Sequence, residues 1–334
     1  MSDKILLAHG SGGKLSHDLV TQRFLPILSN PILSTLNDAA VVGFQGKLAF
    51  TTDSYVVNPI FFPGGDIGKL AVCGTVNDLA MVGAKPLYLS LSFIIEEGLT
   101  HSELDRIVAS IQSATAEAGV SVITGDTKVV SHGCADKLFI NTAGIGVVPE
   151  KICISGDNAR VGDKVIVSGT VGDHGIAVLS QREGLKFSTS IQSDCAPLNG
   201  LVEEMLRVTP NIRCFRDPTR GGLATTLNEI SEQSQVGIRI NEDDIPLRRE
   251  VQAACDMLGL DPLHVANEGK LVAIVAQDDA ERLLESMRQH KHGGDAAIIG
   301  EVTAERPGRV VMKTSFGATR IIDMLVGDIL PRIC

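Results

Sequence analysis

The sequence predicts a two-domain protein of the α/β (or α+β) class with a flexible tail at its C-terminal end. Three observations carry this expectation. The 334 residues suffice for about two domains, each with a core of its own. Apolar runs of strand length alternate with stretches of helical spacing in both halves. From Gly317 onward the alternation ceases. The expected divisions are 1–150, 151–316 and 317–334.

Residues 5–8 form an apolar run ahead of the glycine-rich His9-Gly10-Ser11-Gly12-Gly13-Lys14. Asn37-Asp38-Ala39-Ala40-Val41-Val42 runs into a strand-like segment, and 48–54 reads as a strand closing on Asp53. Within 66–82, Leu70, Val72, Val76, Leu79 and Ala80 fall at helical spacing, and Gly83 with Pro86 ends the helix. A buried strand follows at 87–95. A second helix is expected at 102–118, with Ser102 as its N-cap and Asp105 in its first turn. The strand 120–124 delivers Gly125-Asp126-Thr127-Lys128, and 138–148 is a strand before the boundary near Pro149. In the second half, a turn at 161–164 opens the strand 165–168, and Gly172-Asp173-His174-Gly175 opens a short helix. Further helices are expected at 199–207, 223–234, 248–258 and 279–289, with strands at 236–240, 271–275, 297–302 and 309–312. Fully extended, the tail's roughly 18 residues would span up to about 60 Å, enough to reach another subunit.

Composition narrows the function classes. Net charge is −10, no Lys/Arg run occurs, and aromatic residues make up only 4% of the chain. Counterion release and base stacking both lack material, so nucleic-acid binding is not expected. No segment approaches the ~20 apolar residues of a membrane-spanning helix. The N-terminal apolar run is too short for a signal peptide. A cytoplasmic protein is expected. The 7 cysteines stand singly, with no Cys-x-x-Cys pair, which suits a reducing compartment better than disulfides or a zinc site. His290 and His292 lie in a polar Lys/Gly turn and read as loop rather than metal ligands.

The residues that point to chemistry are scattered. Asp38, Asp53, Asp78 and Asp126 each end or follow an apolar segment. Any one alone is better explained as a cap or turn residue. Their recurrence suggests a cup for Mg²⁺ on a triphosphate, since this hard ion takes carboxylate and phosphate oxygens. Lys128 adds a cation beside Asp126. The glycines of 10–13 let backbone N–H groups converge on an anion, although the stretch is no Walker A loop and reads equally as a flexible terminus. Asp217-Pro218-Thr219-Arg220-Gly221-Gly222 is a tight turn presenting Arg220 at a helix start, where anions are favoured; a solvent-facing arginine on a structural turn fits as well. Glu268, between Asn267 and Gly269, serves equally as a general base or as loop surface. Cys334 ends the sequence after Pro331-Arg332-Ile333. Nothing follows to bury its thiol, and the proline stiffens the arm that carries it. Chain ends are also commonly disordered.

Taken together, His9-Gly10-Ser11-Gly12-Gly13, Asn37-Asp38-Ala39-Ala40-Val41, Thr52-Asp53-Ser54 and the stretches 76–86 and 124–129 resemble the aminoimidazole ribotide synthetase (PurM-like) superfamily. Adding the stretch 217–224, Asn267-Glu268-Gly269-Lys270 and the closing Pro331-Arg332-Ile333-Cys334 narrows the resemblance to the [NiFe]-hydrogenase maturation factors that make the iron-bound cyanide precursor. It covers essentially the whole chain. One departure is Asn37, where relatives often carry a second aspartate beside Asp38; Asn37 is left out of the metal set. The resemblance implies a homodimer whose N-terminal sheets pair, with ATP near that interface. Asp38, Asp53, Asp78 and Asp126 would hold Mg²⁺ and ATP, with Arg220 among the nucleotide-binding residues. The loop of His9, Gly10, Ser11, Gly12 and Gly13 would close over the nucleotide, and Lys128 and Glu268 would sit near the reacting group. The implied partners are a carbamoyltransferase that loads Cys334 and an iron-carrying scaffold–chaperone complex that accepts cyanide.

The implied reaction is an ATP-dependent dehydration of an S-carbamoyl group on Cys334 to a thiocyanate. Oxide cannot leave from a carbamoyl group, whereas phosphate can; a cation such as Lys128 and a base such as Glu268 are then expected. Two readings compete. One is a small-molecule ATP-dependent kinase or synthetase of the same superfamily, indifferent to the tail. The other is a nucleotide-gated carrier whose tail docks without chemistry.

Overall fold

The computed structural model describes residues 4–10, 14–35, 40, 42–182, 191–324 and 333. Ser11, Gly12, Gly13, Asp38 and Cys334 lie outside the described residues. Two sheets organise the molecule. The first has 4 strands in the spatial order Lys47–Tyr55, Leu138–Val148, Lys85–Glu96 and Ser121–Val130. Its pairings are antiparallel except the last, where Lys85–Glu96 runs parallel to Ser121–Val130. The second has 7 strands, in the order Thr319–Ile322, Val310–Lys313, Gly237–Asn241, Ala297–Thr303, Lys164–Val167, Val272–Val275 and Ile212–Arg216. No helix among the described residues is long and apolar enough to cross a membrane.

The helix Ile67–Met81 is the hinge-pin of the architecture. Asp66 caps it, its carboxylate accepting from the N–H groups of Gly68 and Lys69 at 2.8 and 3.0 Å. It is apolar nearly all round, because one side lies on the first sheet and the rest packs against the helices His101–Ala118 and Asn199–Val208 and the strand Ile212–Arg216. At Gly74 the helix must carry no side chain, since a Cβ there would come within 2.2 Å of the Tyr55 hydroxyl. The largest core accordingly draws on both halves, from Ile5, Leu70 and Ile107 to Ile176, Val251 and Ile333.

Several expectations change. The second helix begins at His101 and is capped by Thr100, not Ser102: Thr100 and Glu103 form a reciprocal capping box. The strand expected at 120–124 continues to Val130, so Asp126 and Lys128 lie within the strand and not in a loop beyond it. Parallel pairing with Lys85–Glu96 carries it on. Residues 42–45 form no strand. Four strands are additional, the short pair Phe61–Phe62 and Gly65–Asp66, then Ile212–Arg216 and Thr319–Ile322. The last shortens the expected tail: Gly317, at φ 82, turns the chain so that Thr319–Ile322 pairs antiparallel with Val310–Lys313.

Candidate active site

The face of the first sheet that meets the helix Ile67–Met81 carries Thr51, Asp53 and Tyr55, which alternate inward along their strand. Asp78, on the helix, accepts a hydrogen bond from the Thr51 hydroxyl at 2.8 Å, and Asp53 accepts one from the Tyr55 hydroxyl at 3.1 Å. Asp217 comes to the same place from the second half. Burial pushes the Asp78 carboxyl up to about 7, helped by the charges of Asp217 and Asp53. Burial, then the charge of Asp53, raises Asp217 to about 6. The Tyr55 hydroxyl is likewise pushed well up, by burial and then by Asp53. A cleft of about 390 Å³ opens between the halves here, with Thr51, Asp78, Ser155, Arg216 and Asp217 on its wall.

Glu268 completes the group. It is only 3% exposed, and burial, followed by Cys195, Asp217, Asp194 and Asp53, drives its carboxyl far above the usual range. The open choice between base and loop surface therefore falls against surface. Its loop is held by Asn267, whose side chain accepts from the Gly172 N–H at 2.7 Å and donates to the carbonyls of Pro218 and Val265 at 3.0 and 3.1 Å. That one amide ties the loop of Asp217 to the loop of Glu268. Gly269 leaves room for the chain to pass, because a Cβ there would meet the Asp194 carbonyl at 1.8 Å. The Glu268 N–H donates to Asp194 at 3.1 Å, and Asp194 also pairs with Lys270 at 3.2 Å. From the helix, Asn77 donates to the carbonyls of Ala196 and Glu268 at 3.1 and 3.3 Å, fastening both to the first half.

The expected site residues separate into two groups. Asp53, Asp78 and Glu268 come together, joined by Asp217. Asp126 and Lys128 lie on the opposite, exposed face of the same sheet, at its edge strand. His9 and Gly10, in the short helix Leu7–Gly10, pack beside that edge strand, with the His9 ring against His101 at 5.5 Å. Within one chain, then, Asp126 does not join Asp53 and Asp78, nor does Lys128 approach Glu268. Arg220 is exposed, one residue before Gly221, which caps the helix Gly222–Ser234. His290 and His292 pack on each other at 5.5 Å, and His292 pairs with Glu117.

Sequence reasoning missed Asp217, although it heads the turn that drew attention to Arg220. It also missed Asn77 and Asn267, whose role is visible only across the two halves, and His174. The His174 ring is fully buried, with Nε2 3.0 Å from the Ile333 carbonyl and Nδ1 2.8 Å from the Ser193 hydroxyl. Ile333 itself is 3% exposed within the large core.

Among the described residues no three His, Cys, Asp or Glu side chains already form a metal cage. The donor set nevertheless fits Mg²⁺. The ion keeps few protein ligands and completes its shell with water and phosphate, and a divalent charge would relieve the mutual repulsion that holds these carboxyls high.

Comparison with known proteins shows the family. Residues 36–148 match the model of the AIR synthase related protein N-terminal domain, and 160–313 that of its C-terminal domain. The chain is 54% identical to carbamoyl dehydratase HypE of Azotobacter vinelandii over 98% of this chain and 96% of that protein. It is 53% identical to the carbamoyl dehydratase HypE of Cupriavidus necator over 100% and 95%. A solved structure of hydrogenase maturation protein HypE in complex with ATP superposes with a TM-score of 0.95 at 53% identity, covering 98% of this chain and 99% of that one. A HypE–HypF complex superposes at 0.81 with 51% identity, covering 92% and 99%. The chain thus belongs to the AIR synthase related family and, within it, to the carbamoyl dehydratases known as HypE, which act in hydrogenase maturation.

Proposed function

We propose that this chain converts an S-carbamoyl group on Cys334 into a thiocyanate in an ATP-dependent reaction, supplying cyanide for [NiFe]-hydrogenase metal-centre assembly. One observation carries the reading. In the segment Ser193-Asp194-Cys195, Ser193 is bonded through His174 to the Ile333 carbonyl, and the adjacent Asp194 accepts from the N–H of Glu268. The residue preceding Cys334 and the buried carboxyl are therefore held by the same three residues.

The reaction balances as S–C(=O)–NH₂ plus ATP giving S–C≡N, ADP and phosphate. ATP, when bound, supplies the phosphoryl group that turns the carbamoyl oxygen into a leaving phosphate, and Mg²⁺ supplies charge neutralisation on the phosphates. Asp53, Asp78 and Asp217 are the described residues that would hold the ion; of the expected set, Asp38 lies outside the described residues and Asp126 on the opposite face of the sheet, and Arg220 and the loop 9–13 would form the nucleotide's surroundings. Glu268 takes the amide protons as the C≡N bond forms. Burial and the neighbouring negative charges favour its protonated form, and compensation of those charges by Mg²⁺ would free the carboxylate to accept an amide proton. Lys128, on the open sheet face, would neutralise the transferring phosphoryl only as a residue of the second subunit of a homodimer.

Lys128 and Asp126 share the exposed sheet face with Leu48, Phe50 and Ile94, which are 51, 70 and 41% exposed. Apolar side chains massed on one open sheet face support a homodimer through that face, with ATP near the interface. Sedimentation of the full chain as a monomer in the presence of Mg-ATP would remove this part of the reading. The loading partner is a carbamoyltransferase of the HypF kind, and an iron-carrying scaffold–chaperone complex accepts the cyanide. The setting is cytoplasmic, in keeping with six described cysteines that are all free.

The test is the mass of the C-terminal peptide after carbamoyl loading, with and without Mg-ATP. Loss of one water at Cys334 only with ATP is expected. A carbamoyl group that stays intact would leave a carrier, and a peptide never modified would leave a free-metabolite kinase.

A further inference from the structure

His174 sits where both ring nitrogens must be spoken for, since it is fully buried beneath the Phe62 ring, edge to face at 5.4 Å. The Ile333 carbonyl 3.0 Å from Nε2 can only accept, so Nε2 carries the proton. In the neutral ring Nδ1 is then bare and accepts from the Ser193 hydroxyl at 2.8 Å, whose oxygen in turn accepts from the Cys195 N–H at 3.1 Å. Every proton in this relay has one place. The Ser193 N–H donates to the Pro63 carbonyl at 2.8 Å, and the loop at Gly64 lies so close that a Cβ would meet the Ser193 backbone at 2.8 Å. Ser193 is thus fixed, and through it the ring. The adjoining Asp194 accepts from the Glu268 N–H at 3.1 Å, so the imidazole and the buried glutamate take their positions from neighbouring residues of one short segment.

We infer that His174 is a positioning residue: by donating to the Ile333 carbonyl it seats residue 333, and so sets the reach of the thiol bonded one residue on, relative to Glu268. The inference rests on the function proposed above. His174 touches neither nucleotide nor reacting atoms in that scheme. It acts through residue 333 alone, and its effect separates from ATP binding and from loading.

The experiment uses the full chain with its carbamoyltransferase and compares the parent with His174→Phe and His174→Gln. Phenylalanine fills the space against Phe62 but donates nothing, while glutamine restores an N–H near the Nε2 position. Three quantities are read: iodoacetamide alkylation of Cys334 by peptide mass under Mg-ATP, single-turnover dehydration of carbamoylated protein, and ATP affinity. For His174→Phe, alkylation should quicken and dehydration slow, each by about tenfold or more, the scale of one lost buried hydrogen bond. ATP affinity and loading should stay within about twofold, and His174→Gln should recover most of both losses. Parent-like alkylation and dehydration in His174→Phe would overturn the inference. So would an equal defect in both variants, which marks a packing fault. Should His174→Phe fail to fold, Ser193→Ala releases the ring's orientation and must shift the same two rates in the same direction. A parent that alkylates as expected but never dehydrates would refute the proposed reaction while the alkylation comparison still judges His174.

Discussion

The carboxylates around Asp78 and the imidazole relay around His174 are both buried and polar, yet they are built on opposite plans. In the first, Asp53, Asp78, Asp217 and Glu268 face one another with few donors among them, and burial with nearby negative charge raises Asp78, Asp217 and Glu268. In the second, Cys195, Ser193, His174 and Ile333 form a chain in which each donor meets one acceptor. An arrangement that is unfavourable on its own is one that something else must complete, in the proposed function a cation and phosphates. An arrangement already closed is one the protein uses to hold itself. The difference separates a place for ligands from a place for the chain's own backbone.

The most severe way to break the first region is Glu268→Gln. Carbamoylated protein should accumulate with the dehydration rate down about 10²-fold or more, ATP affinity being little changed. Peptide mass against time checks it, and normal dehydration would take the base role from Glu268. A subtler measurement sharpens the comparison through pH. Without Mg²⁺, carboxyls whose folded pKa values of about 7 and about 6 exceed the unfolded ~3.9 favour the protonated fold. Their contribution is full below about pH 4 and is lost as pH rises toward about 7. His174 runs the other way. Burial lowers it, the Asp194 charge and the Ile333 hydrogen bond offsetting part, so the neutral ring favours the fold and stability is lost as pH falls below about 6.5. Melting curves across that range should show Asp217→Asn gaining on the parent as pH rises, by about 2 °C. The smaller difference is His174→Gln gaining on the parent only in acid. Parallel curves for parent and Asp217→Asn would mean that the carboxyls do not repel as described.

Much of this was legible in the sequence. The helix Ile67–Met81 announced itself by spacing, by Asp66 before it and by Gly83 after it, all local signals. Asp53 and Asp78 could be suspected because both close apolar segments. That Asp126 would face away from them was not legible, since it depends on the pairing Ser92↔Asp126 and Ser92↔Asn141, a property of register between strands distant in sequence. For Glu268 the sequence left base and loop surface equally open, because burial of its carboxyl depends on Asn77 and Asn267 reaching across 191 and 49 residues. The bond between His174 and Ile333 spans 159 residues and leaves no periodic trace at either end.

The core that unites Ile5 with Ile333 also has a consequence for biosynthesis. A ribosome delivers the chain from its N-terminal end, and domains ordinarily close as they emerge. Here the core that holds Ile5 and Leu70 receives Ile333 only when residue 333 has been made. A product that stops short of residue 333 would leave a gap in that core where Ile333 belongs, the kind of apolar surface chaperones and proteases recognise. The bond that seats residue 333 would then double as a quality check, since only a chain translated that far can fill the gap.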